Sequence, residues 1–210
     1  RPRFGELQVN SYTTEAQRYA SIAPGPDGGF VVVWSSGGSP GSDDAYESIQ
    51  GQLLAASGKP LGDQFQVNTH TTDSQRDPSV ATRADGGFVV VWQNYVGGDP
   101  PTATIRARGF DLHGQSTGPD FQVSRYTSGV QILPSVAPRR DGGFVVVWSG
   151  YGPPAPAASP LRVEGRAFDA GAMAVGTEFQ VNTYTSGDQY DASVVALPSG
   201  GFVVAWQSRG

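Results

Sequence analysis

Hydrophobic residues along this chain come in short bursts separated by Gly, Asp, Asn and Ser. The sharpest burst, Phe-Val-Val-Val-Trp, stands at residues 30–34, 88–92 and 144–148, and a fourth copy, Phe-Val-Val-Ala-Trp, fills 202–206. The run is β-branched and aromatic, which predicts a strand. It stays apolar without alternating, so both faces of that strand should be buried. Gly-Gly precedes each Phe, offering the positive φ that a tight hairpin needs, and a shorter apolar piece (YASIA, DPSVA, LPSVA, DASVV) precedes that turn. After a variable loop rich in Gly, Ser and Pro comes a third strand, ESIQGQLLA, ATIRARGFD or LRVEGRAFD, and then a fourth, FQVN.

The pattern has a fixed period. The motif Phe recurs at Phe30, Phe88, Phe144 and Phe202, spaced 58, 56 and 58, and a second motif, typified by FQVNTYTSGDQ, closes on Gln17, Gln75, Gln131 and Gln189 with the same spacings. Four-stranded antiparallel units buried on both faces are what stacked propeller blades require. The expected fold is therefore an all-β propeller of four repeats, in one domain spanning 1–210. The repeats run approximately 11–68, 69–124, 125–182, and 183–210 with 1–10. The last blade is incomplete, because its third strand is missing. Three continuations stay open: a chain running past Gly210, a final blade closed by the N-terminal strand, or a larger ring.

Composition narrows the function classes. No run approaches the roughly 18 apolar residues of a spanning helix, so the chain is not membrane-spanning. Its opening, RPRFGELQVN, has no initiator Met and no signal-peptide pattern, and reads as a mature form or a piece of something longer. Formal net charge is -5 and the 14 Lys and Arg residues are scattered, which argues against nucleic acid. Cysteine is absent, removing disulfides and thiolate chemistry and leaving the redox compartment open.

The paired motifs FQVNTYTSGDQ and GGFVVVW, with GRAFDAGAMAVGTEFQVN between units, resemble degenerate repeats of long secreted bacterial proteins, often beside calcium-binding nonapeptide or cadherin-like modules. The resemblance covers all four units. It implies an extracellular or periplasmic propeller-like array with adhesion or binding roles, and no defined activity. The DGG turn lacks the alternating Asp residues of an integrin-type calcium loop.

Enzymatic signatures are missing: no GxSxG elbow, HExxH pair, phosphate loop or dinucleotide fingerprint is found. Paired carboxylates for glycoside hydrolysis would have to come together from separate blades, and the inner strands carry Ser and Ala. His70 and His113 share no carboxylate partner. Asp43, Asp44 and Glu47 form one oxygen-rich loop that no other blade repeats, which reads as a solvated loop. Asp77 and Asp191 are equivalent, but Tyr19 and Leu133 fill the other two positions. No metal or cofactor is expected.

The constellation with most promise is the repeated Asn-x-Tyr-Thr. Asn10, Asn68 and Asn182, with Ser124 in the third unit, are followed two residues later by Tyr12, His70, Tyr126 and Tyr184. In a propeller this segment shares a face with the loop after Phe-Val-Val-Val-Trp, which carries Tyr95 and Tyr151. Aromatic rings beside amides and hydroxyls suit a sugar, stacking on its apolar face and bonding its hydroxyls. The alternative is that Asn, Thr and Gln satisfy backbone groups locally. The expectation is a non-enzymatic extracytoplasmic binding module for a glycan or cell-surface protein, or else a structural or accessory protein-interaction subunit of a larger assembly.

Overall fold

The computed structural model describes residues 5–38, 46–97, 102–151 and 160–210. These residues form fourteen strands. Blade 1 contains β1 (Gln17–Pro24), β2 (Phe30–Gly37), β3 (Glu47–Leu54) and β4 (Phe65–Gln66). Blade 2 contains β5 (Ser74–Thr82), β6 (Phe88–Val96), β7 (Thr102–Phe110) and β8 (Phe121–Gln122), and blade 3 contains β9 (Gln131–Pro138), β10 (Phe144–Gly150), β11 (Arg162–Phe168) and β12 (Ala174–Gln180). Each is a four-stranded sheet in sequential order, while β13 (Gln189–Ala196) and β14 (Phe202–Ser208) pair only with one another. The fold is an all-β propeller with an incomplete last blade.

The non-alternating Phe-Val-Val-Val-Trp strand is explained by what it meets on its two sides. Val31 and Val33 of blade 1 pack with Ile49 and Leu53 against Phe88, Val90 and Trp92 of blade 2. Val89 and Val91 turn the other way and meet Phe144, Val146 and Trp148 of blade 3. The second strands of blades 2 and 3 thus bury a Phe/Val/Trp face toward the preceding blade and a Val/Val face toward the following one. Stacked ring pairs, Phe88 on Phe110 at 5.0 Å and Phe144 on Phe168 at 4.9 Å, close the lower end of the packing.

The Gly-Gly turn serves two needs. The first glycine takes positive φ, 84° at Gly86 and 85° at Gly142. The second has no room for a side chain: a Cβ at Gly143 would lie 2.1 Å from the Phe168 carbonyl oxygen. Both requirements recur where the third strand crosses the turn.

Inner strands pack in the series β1, β5, β9, β13. The Ser21 hydroxyl accepts from the Val80 amide (3.3 Å), Ser79 from Val136 (3.3 Å) and Ser135 from Val194 (3.2 Å). A small hydroxylated residue lets neighbouring inner strands come this close. No comparable packing joins β13 back to β1 among the described residues. Residues 7–10 also form no pairing with β14, so the closure by the N-terminal strand that the sequence left open is not observed. They lie on the first blade instead, where Val9 meets Val32, Trp34 and Leu54.

Each inner strand carries a β-bulge, and its left-handed residue is Tyr19 (φ 55°), Asp77 (51°), Leu133 (55°) or Asp191 (56°). This is why Asp appears twice in that column: it tolerates positive φ better than most residues. Of the oxygen-rich loop, Asp43 and Asp44 lie outside the described residues, and Glu47 forms an ion pair with Arg76 of the next blade.

Candidate functional site

The segment after each fourth strand crosses to the next blade, and its polar side chains hold that crossing in place. Asn68 Nδ2 donates to the His70 carbonyl (2.7 Å) while Asn68 Oδ1 accepts the Ile49 amide (2.8 Å). Asn182 does the same with Tyr184 (2.7 Å) and Val163 (2.9 Å), and Asn10 Nδ2 donates to the Tyr12 carbonyl at 2.6 Å. Ser124 replaces Asn by accepting the Ile105 amide at 3.1 Å. The asparagines proposed as ligand contacts are thus engaged by the backbone, as buried amides generally are.

The closing Gln is committed as well. Gln17, Gln131 and Gln189 accept from the indole N–H of Trp34 (2.8 Å), Trp148 (2.9 Å) and Trp206 (3.0 Å). Blade 2 departs from this. Gln75 Oε1 accepts from Asn68 at 2.9 Å, and the buried Trp92 indole N–H has no hydrogen-bond partner among the described residues.

None of the four aromatic residues is buried. Tyr184 and His70 are exposed, and Tyr12 and Tyr126 are half-buried. His70 Nε2 lies 2.7 Å from the Thr72 hydroxyl. Tyr12 leans over Gly38 and Tyr151 over Gly129, so in blades 1 and 3 the aromatic segment and the loop after the second strand meet on one face. Tyr95 is half-buried, its backbone paired with Ser74 at the upper end of β6.

A further constellation was not anticipated. The residue just before each fourth-strand Phe bonds the amide beginning the preceding crossing: Gln64 accepts from Ser11 (3.0 Å), Asp120 from Thr69 (3.0 Å) and Glu178 from Arg125 (2.8 Å). In the first two blades the same side chain also meets the third-strand residue opposite Trp. Gln64 donates to Gln50 at 3.1 Å, and Arg106 donates to Asp120 at 2.5 Å. In blade 3 the corresponding residues are two acids, Glu164 and Glu178. They line a cleft of about 390 Å³ together with Arg125, Tyr126 and Thr177.

The electrostatics follow from the pairings. Burial alone would raise Asp120, but hydrogen bonds from Thr69 and Arg106 with the guanidinium charge hold it below the usual carboxylate range. Burial pushes Glu164 up, the neighbouring Glu178 adds to this, and Arg162 opposes both, leaving Glu164 at about 7. At neutral pH this carboxyl is poised between donor and acceptor, beside an aromatic ring. Strands three and four of one blade bring these two carboxylates into one cleft. Their signal in the sequence, Gln-Gln, Arg-Asp and Glu-Glu at the same two positions, shows only once the third and fourth strands are registered. Among the described residues, no group of three or more His, Cys, Asp or Glu is placed to hold a metal ion.

No family model matches the chain, and no curated protein matches it. Solved structures share its fold. A protein of unknown function from Dyadobacter fermentans superposes with a TM-score of 0.66 at 12% identity, over 92% of this chain and 62% of that one. An endo-arabinase from Bacteroides thetaiotaomicron gives 0.60 at 13% identity, over 96% and 76%, and a thermostable family-43 glycoside hydrolase gives 0.57 at 15%, over 95% and 68%. The chain thus spans less than two thirds of the length of the first of these, and what the three share with it is the β-propeller fold.

Proposed function

We propose that this propeller is a non-enzymatic, extracytoplasmic binding module that takes a glycan on the face bearing Tyr12, His70, Tyr126 and Tyr184. The observation that carries the reading is the contrast within one motif: its Asn side chains are locked onto the backbone and its Gln, in three of the units, onto the indole, while none of the four aromatic residues is buried. Rings on rigid crossings present stacking surfaces at low entropic cost. Tyr126 adds hydroxyl-bonding partners, since its cleft includes Glu164 and Glu178. Neighbours described as an endo-arabinase and a glycoside hydrolase are in keeping with a carbohydrate ligand.

A second reading is a structural or accessory protein-interaction subunit of a larger extracytoplasmic assembly. It is favoured by the inequality of the blades, whose equivalent pairs are amide-amide, cation-anion and acid-acid. A glycan array with the intact protein separates the two. Repeated hits that weaken stepwise in Tyr126→Ala and Tyr184→Ala, with unchanged circular dichroism, support the glycan. A blank array with a stable protein complex in a native pull-down supports the subunit. Sugar release from arabinan or aryl glycosides would overturn the non-enzymatic part of the proposal.

A further inference from the structure

The two ends of the blade series expose complementary halves of one interface. Ile22 of β1 is 62% exposed, whereas its counterparts Val80, Val136 and Val194 are buried under the preceding inner strand. At the other end Val203 of β14 is 50% exposed, whereas Val31, Val89 and Val145 are buried under the following blade. The Ser193 side faces solvent at the place where Ser21, Ser79 and Ser135 each receive an amide.

Beside β1 this open face deepens into a groove of about 610 Å³, lined by Leu7, Val9, Arg18, Tyr19, Val32 and Trp34 among others. The equivalent space on blade 2 is occupied by Val33 and Ile49 of blade 1. A cation is also left uncovered there. Arg76, one repeat after Arg18, pairs with Glu47 at the start of the preceding blade's third strand, while Arg18 is exposed.

We infer that these two faces form a receptor for one further β-sheet of this same repeat, seated between β14 and β1. Its third strand puts Ile or Val into the groove beside Trp34, as Ile49 does beside Trp92. Its inner strand receives the Ile22 amide on a Ser hydroxyl and donates an amide to Ser193. The surface continues the blade-to-blade interface already seen three times in the molecule, which defines the occupant.

The test extends the protein after Gly210 with a second copy of its own residues 39–110, in register with the repeat. These supply two strands for the fourth blade and three for the next, whose outer position residues 7–10 already hold. The expected result is a rise in Tm of about 5 °C or more, a blue shift of Trp206 emission, and slowed amide exchange in both β14 and β1. Ile22→Asp or Val203→Asp should cancel that gain in the extended protein and leave the unextended Tm within about 1 °C. A synthetic peptide of residues 46–68 added to the unextended protein should protect β14 amides, and a scrambled peptide should not. No protection in either format overturns the inference. So does a dimer of the unextended protein that protects the same amides, because the occupant is then a second copy.

Discussion

At the scale of single residues, the repeated Trp offers four nearly equivalent side chains in different surroundings. Trp148 and Trp206 donate to Gln with similar geometry, 2.9 and 3.0 Å, but Trp148 is fully buried and Trp206 is 38% exposed. Comparing them therefore isolates burial. Trp148→Ala should cost about 3–5 kcal/mol, the usual loss for a large buried aromatic, and Trp206→Ala about half of that or less. Replacement by Phe isolates the indole N–H instead. Trp148→Phe leaves the Gln131 carbonyl oxygen without its buried donor, a penalty of about 1–3 kcal/mol. Trp92→Phe removes an N–H that has no partner among the described residues and should cost less. Denaturant midpoints of the four variants check both orders, and equal losses at Trp148 and Trp206 would contradict the assigned packing.

At the scale of elements, the strands were legible because burial on both faces writes itself as an unbroken apolar run, and the turns because Gly-Gly has no substitute there. The bulge was not legible. Its left-handed residue is set by backbone register against β2, β6, β10 or β14 rather than by residue type, so Tyr and Leu occupy it alongside Asp. Replacing exposed Tyr19 by Asn should stabilise by about 0.5–1 kcal/mol, since Asn accepts positive φ more readily; a lower Tm would show that the ring contributes more by packing than the backbone loses. The acid pair of blade 3 was hidden for a related reason: Glu164 and Glu178 become neighbours only through the pairing of β11 with β12. Its sign with pH is definite. The Glu164 carboxyl moves from an ordinary 4.5 to about 7 on folding, so the unfolded chain gives up this proton first as pH rises. Stability should fall between pH 4.5 and about 7 and stay level above, by on the order of 1–3 kcal/mol. Glu164→Gln, which copies Gln50 of blade 1, should lose less between pH 5 and pH 8 than the parent, measured by urea titration at both values. An identical pH dependence would mean that Glu164 keeps an ordinary pKa.

At the scale of the whole molecule, a propeller built from near-identical units behaves as a short one-dimensional array, in which each blade is held by its own strands and by the blades beside it. Blade 2 is covered on both faces, by blade 1 in one cluster and by blade 3 in another. The pair β13–β14 is covered on one face only, through Val194, Val204 and Phe202 against Val145 and Val147 of blade 3. It also lacks third and fourth strands among the described residues, and Val195, Val203 and Trp206 remain exposed. Local opening free energy follows buried contacts, so native-state amide exchange should proceed in a set order. Amides of β13 and β14 should exchange first, those of β1 and β2 next because Ile22 and Phe30 are uncovered on their outer side, and those of β6 and β10 last. Low urea should widen the gap between the first group and the last, because the end blade can open without disturbing the Trp92 and Trp148 layers. A single rate of opening shared by β14 and β6 would instead mean that the four units melt as one body, and that the uncovered end faces cost the molecule nothing in local stability.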